Sequence, residues 1–137
     1  SYGETADAAT PALLFVLTAI ILADFLAGPG YGAPLNLGRL QFHPVQLYEL
    51  VVLLIAAIVW WGIHQQRPFA GSAFLLTTAV LTFGLIITTP FRGNAWVTPS
   101  GWYPAQILYL AITLSALILI TYNTNRSLSK PESITKK

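Results

Sequence analysis

The sequence predicts an all-α integral membrane bundle of about four transmembrane helices, and three observations predict it. First, 55% of the 137 residues are hydrophobic and only 9% are charged. A soluble domain carries roughly 25% charged residues, so this chain has too little polar surface to cover a core in water. Second, four apolar stretches of about 17 to 20 residues recur along it, close to the ~20 that cross a ~30 Å hydrocarbon layer as a helix. Third, the glycines and prolines that break helices fall between those stretches. The mean hydropathy of +0.64 agrees. High apolar content with few, scattered charges excludes a disordered chain and a nucleic-acid partner.

Ser1 to Thr10 is polar and lacks the basic start of a signal peptide. The chain has no methionine, which is consistent with a processing site before Ser1 or with a longer parent chain. The first apolar stretch runs from about Pro11 to Ala27 and carries Asp24 near its end. The second runs from about Val45 to Ile63, with Glu49 near its start. The third, about Gly71 to Thr89, and the fourth, about Pro104 to Tyr122, are uncharged. Residues 11–122 are therefore expected to form one bundle, followed by a polar tail over 123–137. Helix is the expected state throughout, because hydrocarbon cannot satisfy an open strand edge.

Between the helices, Gly28-Pro29-Gly30, Pro34, Gly38 and Pro44 punctuate the first connection, Arg67-Pro68 the second, and Pro90, Gly93, Pro99 and Gly101 the third. Trp60-Trp61, Trp96, Trp102-Tyr103 and Tyr122 gather at the predicted helix ends, where amphipathic rings favour the headgroup level. Four spans put both termini and the middle connection on one side. That side holds Arg67, Arg126, Lys130, Lys136 and Lys137, against Arg39 and Arg92 on the other. The positive-inside rule then makes the termini cytoplasmic. The two long connections, Gly28 to Pro44 and Pro90 to Tyr103, face outward, and any chemistry is expected there.

The most specific stretch is His43-Pro44-Val45-Gln46-Leu47-Tyr48-Glu49. Pro44 suits the first position of a helix, where no N–H partner is needed. Gln46 and Glu49, three apart, share a face. Glu49 lies inside the apolar layer, so it must pair, protonate or face a polar cavity. His43, Gln46 and Glu49 thus form a candidate outer cluster, against the plainer alternative of a network that pins loop to helix. Arg92 follows Pro90-Phe91, placed to grip a phospholipid phosphate or to neutralise Glu49. A snorkelling interfacial arginine is its plain alternative. Arg39 is the candidate partner of Asp24, and His64 on the inner rim reads as solvated. With no cysteine and two histidines on opposite sides, neither a metal site nor a cofactor is expected.

In order and spacing these pieces resemble the C-terminal half of the prolipoprotein diacylglyceryl transferases. That family moves a diacylglyceryl group from phosphatidylglycerol to a lipoprotein cysteine. Its Tyr-Gly-x-Pro step is similar to Tyr31-Gly32-Ala33-Pro34, its His-Pro-x-Gln-Leu-Tyr-Glu to His43–Glu49, its Phe-Arg to Phe91-Arg92, and its Gln-Ile to Gln106-Ile107. The resemblance spans about Pro11 to Ile120. It implies a bacterial cytoplasmic membrane location, a phosphatidylglycerol-like phospholipid partner, and His43, Glu49 and Arg92 as candidate catalytic residues. Arg92, Gln46, Tyr48 and Arg39 are the candidate lipid contacts. The family's His-Gly-Gly-Leu motif has no counterpart here. Its arginine, two asparagines and glutamate ahead of the Tyr-Gly step are replaced by Ile21, Asp24, Ala27 and Pro29. Thr88-Thr89 and Gly93-Asn94 stand where acidic and Pro-Asp residues flank the family's Phe-Arg. The expectation is a non-catalytic, lipid-contacting accessory or scaffold subunit of a larger membrane complex. The alternative is a diacylglyceryl transferase, acting as a fragment or half-enzyme.

Overall fold

The computed structural model describes residues 1–28, 32–37 and 40–129. Among them are four long helices: α1 (Tyr2–Ala27), α2 (Val45–Ile63), α3 (Ser72–Thr88) and α4 (Pro104–Leu128). All four are long and apolar enough to cross a membrane, α3 when its short 3-10 extension Thr89–Phe91 is included. The first connection contains a small antiparallel hairpin, β1 (Pro34–Leu37) and β2 (Leu40–Phe42), that sequence alone did not suggest. The expected all-helical, multi-pass bundle is present.

α1 begins nine residues ahead of its apolar stretch. Ser1 starts it with a capping box: its hydroxyl accepts from the Glu4 amide, and the Glu4 carboxylate accepts from the Ser1 amine at 2.8 Å. The 26-residue helix is about 39 Å long, more than the hydrocarbon layer needs, so its first turns stand clear of it. Pro11 therefore lies inside the helix.

α3 is the central helix, packed against α1, α2 and α4. Its buried residues are Ser72, Ala73, Thr77, Ala79, Thr82, Gly84 and Thr88, all small. Small side chains let neighbouring backbones approach, which replaces the missing hydrophobic drive between helices in lipid. At Gly84 the Val52 side chain of α2 fills the space a side chain would need: a Cβ there would lie 2.3 Å from a γ-methyl of Val52. Its partners present stripes at steps of three and four residues. On α1 the stripe is Asp7, Thr10, Leu14, Leu17 and Ile21; on α4 it centres on Thr113 and Ala116. Leu14, Leu53 and Ala56 form the apolar core, flanked by Trp60, Val80 and Leu81. Thr82 and Thr113 hydroxyls meet at 2.7 Å between α3 and α4. Most large apolar side chains point outward, as a bundle solvated by lipid requires.

Two polar contacts on the terminal face depart from expectation. Asp7 is 3% exposed, and its carboxylate accepts from the Gly71 and Phe74 amides, each at 2.8 Å, and from Arg67 at 3.4 Å. α3 has no side-chain cap of its own, and Gly71 is left-handed at φ 96°. Asp7 supplies that cap from another helix, and places a negative charge at the positive end of the α3 dipole. Gly3, one turn earlier on the same face, allows the contact: a Cβ there would sit 2.4 Å from the Ala70 carbonyl. His64, read as solvated, is partly exposed and also makes local contacts. It stacks on Trp60 with ring centroids 4.5 Å apart, and its Nδ1 donates to the Trp61 carbonyl at 2.7 Å.

Candidate functional site

The opposite face collects the residues of the heptapeptide and the end of α3. α2 opens at Val45, with Pro44 one position earlier than expected, at the N-cap. The Pro44 carbonyl accepts from the Leu47 and Tyr48 amides, which starts the helix and turns Tyr48 and Glu49 toward α3. Glu49 is buried and Arg92 lies across from it. The Glu49 Oε1 accepts from the Arg92 Nε at 2.7 Å and is also in contact with Nη2. Arg92 is therefore held by Glu49, not simply snorkelling. This side-on grip uses two guanidinium nitrogens and fixes the plane of the head group.

The pair is unequal. The Glu49 side chain is 5% exposed and that of Arg92 is 46% exposed. Arg92 also lines an open cavity of about 230 Å³, together with Thr89, Asn94, Ala95, Trp96, Pro104, Ala105 and Tyr109. Arg92 thus pairs with a buried carboxylate and also lines a recess of mixed polar and apolar character.

Beside the pair is an aromatic cluster. The His43 ring is 4.9 Å from that of Phe91 and its Nδ1 is 3.2 Å from the Tyr48 hydroxyl, while Tyr48 meets Phe91 edge-on at 5.8 Å. Backbone bonds lock this cluster to the first connection: the Ala33 amide donates to the Phe91 carbonyl at 2.6 Å, and the His43 amide to the Ala33 carbonyl at 3.1 Å. Gly32 makes that approach possible, since a Cβ there would fall 2.0 Å from the His43 carbonyl oxygen. On the other side the Gln106 amide donates to the Ile86 carbonyl at 2.8 Å, holding the start of α4 against α3.

His43, Tyr48, Glu49, Phe91 and Arg92 are thus brought to one end of the bundle by three separate elements. Gln46 is half-buried, and among the described residues it bonds to neither the pair nor the cluster. Arg39, named as a partner of Asp24 and as a lipid contact, lies outside the described residues, as do Tyr31, Pro29 and residues 130–137. Ile21, where the resemblance expects an arginine, is partly buried against the Leu14–Leu53–Ala56 core. Asp7 escaped the sequence reading because its acceptor role serves amides more than sixty residues away. Among the described residues no three His, Cys, Asp or Glu side chains group as metal ligands.

Fold and site together define a multi-pass helical membrane protein with a half-exposed arginine paired to a buried glutamate at one end. The chain belongs to the prolipoprotein diacylglyceryl transferase family, whose family model matches residues 1–122. No curated protein and no solved structure matches it.

Proposed function

We propose that this protein is a transferase-like membrane subunit that holds a phospholipid head group without transferring its diacylglyceryl moiety, as an accessory or scaffold in a larger membrane complex. One observation carries the lipid contact: Arg92, braced by buried Glu49, lines an open recess that combines polar groups with the apolar surfaces of Trp96 and Pro104. An anionic, phosphatidylglycerol-like lipid suits that recess, because its phosphate meets a guanidinium whose orientation is already fixed. Tyr48 and His43 contact each other beside the pair, and Asn94 and Tyr109 add polar groups to the lining of the recess.

The non-catalytic part of the reading rests on what the chain places around that arginine. Transfer requires a base for the incoming thiol and cationic help for the departing glycerol phosphate. The Glu49 carboxylate is engaged by Arg92, and Ile21 packs in the core at the position of a family arginine. Thr88 and Thr89 hydroxyls donate to the Leu85 carbonyl, where the family has an acidic residue nearby. Family membership supports a bacterial cytoplasmic membrane, and the basic residues on the terminal side support cytoplasmic termini.

The second reading, a diacylglyceryl transferase completed by a further polypeptide, is favoured by family membership. An assay separates the two. The chain, with whatever subunits accompany it, is reconstituted in phosphatidylglycerol vesicles with a prolipoprotein substrate. Retention of phosphatidylglycerol without lipidation of the substrate cysteine is the expected result. Lipidation that is lost on Arg92→Ala would establish the transferase instead.

A further inference from the structure

The connection Arg92–Tyr103 joins the ends of two spans, so both of its anchor points lie at the edge of the hydrocarbon layer. It carries no acidic residue. Its centre is a tight turn. The Gly101 amide donates to the Thr98 carbonyl at 2.9 Å, the Thr98 amide to the Trp102 carbonyl at 2.8 Å, and the Trp102 amide to the Thr98 hydroxyl at 3.0 Å. Pro99 occupies the second position of this turn, and Gly101 closes it at φ 83°, a left-handed conformation that favours glycine. The turn is therefore built in advance, and it presents large apolar side chains outward. Trp96 is 73% exposed, Trp102 64% and Val97 42%.

We infer that this connection lies on the lipid headgroup surface, with Trp96, Val97 and Trp102 as its anchors. Indole rings combine an apolar body with one N–H donor, which matches the ester and headgroup layer and neither bulk water nor hydrocarbon. A pre-formed turn loses little conformational freedom when it docks, so the contact keeps most of the gain from burying those rings. Trp96 also lines the recess beside Arg92. This inference concerns the loop's contact surface. It stands whether or not Arg92 holds a lipid, and its test reads neither lipid identity nor transfer.

The chain contains no cysteine, so a single nitroxide label is introduced by Val97→Cys or by Ser100→Cys, both exposed positions. The full chain is placed in phosphatidylcholine–phosphatidylglycerol vesicles, and collision with oxygen and with a water-soluble nickel chelate is measured. The Val97 label is expected to collide with oxygen several-fold more than a Ser127→Cys label on the terminal side, and with nickel several-fold less. Trp96→Ala with Trp102→Ala is expected to raise nickel access at both loop positions, whereas Trp61→Ala leaves it unchanged. Equal nickel access at Val97 and Ser127 would overturn the inference by putting the loop in water. Shielding from both reagents would overturn it too, by showing a protein cover.

Discussion

At the scale of single residues, buried carboxylates organise both ends of the bundle. Glu49 faces Arg92 at one end, and Asp7 faces the α3 amides at the other. Arg92→Ala leaves a carboxylate 5% exposed with its cation removed, and is expected to cost about 2 kcal/mol, since Arg92 itself is half in solvent. Glu49→Gln keeps the shape and loses the charge, so it should lower thermal stability or complex assembly more than His64→Gln does. Unfolding in detergent, followed by intrinsic fluorescence, checks both; equal and negligible effects of the Glu49 and His64 changes would contradict an organised outer cluster. Asp7→Ala is expected to cost about 1–2 kcal/mol by uncapping α3, with Asp7→Asn costing less. Glu49 was legible in the sequence because a charge within an apolar run demands a partner, and Arg92 because it stands at the outer end of the third run. Asp7 was not, since its polar flank offers no local sign of a partner so far along the chain.

At the scale of elements, helix length and apolar runs were legible because lipid imposes them, while contacts between helices were legible only in part. Ala56, Ala73 and Ala116 are buried at helix contacts. Ala111 and Ser115, equally small and on the same helix as Ala116, face outward. Small residues permit an interface without choosing which helix face supplies it. Gly84 sharpens this, since its γ-methyl neighbours on Val52 are branched at Cβ and cannot swing away. Gly84→Ala is expected to lower the melting temperature by several degrees, and Val52→Ala in the same chain to restore part of the loss. Gly32→Ala is expected to be less forgiving, because the obstructing atom is the backbone oxygen of His43. The β1–β2 hairpin was not legible; its run of Pro34 to Phe42 is short and carries mixed turn signals.

At the scale of the whole molecule, α1 is attached at both ends of its polar–apolar gradient: Asp7 to the α3 start, and Leu14 to the core. The helix order puts the chain start, the α2–α3 connection and the α4 end on one face, and the recess before Arg92 on the other. With cytoplasmic termini, a membrane-impermeant maleimide applied to intact cells should label Ser100→Cys, and should reach Ser127→Cys only after permeabilisation. The reverse pattern would invert the proposed orientation.

The central claim is that Arg92 holds an anionic phospholipid within a larger assembly. Native mass spectrometry of the protein released gently from its own membrane tests it most directly. The account predicts a phosphatidylglycerol-like lipid on the wild-type chain, lost from Arg92→Ala, together with other membrane subunits at fixed stoichiometry. A lone chain whose bound lipid is indifferent to Arg92 would contradict it.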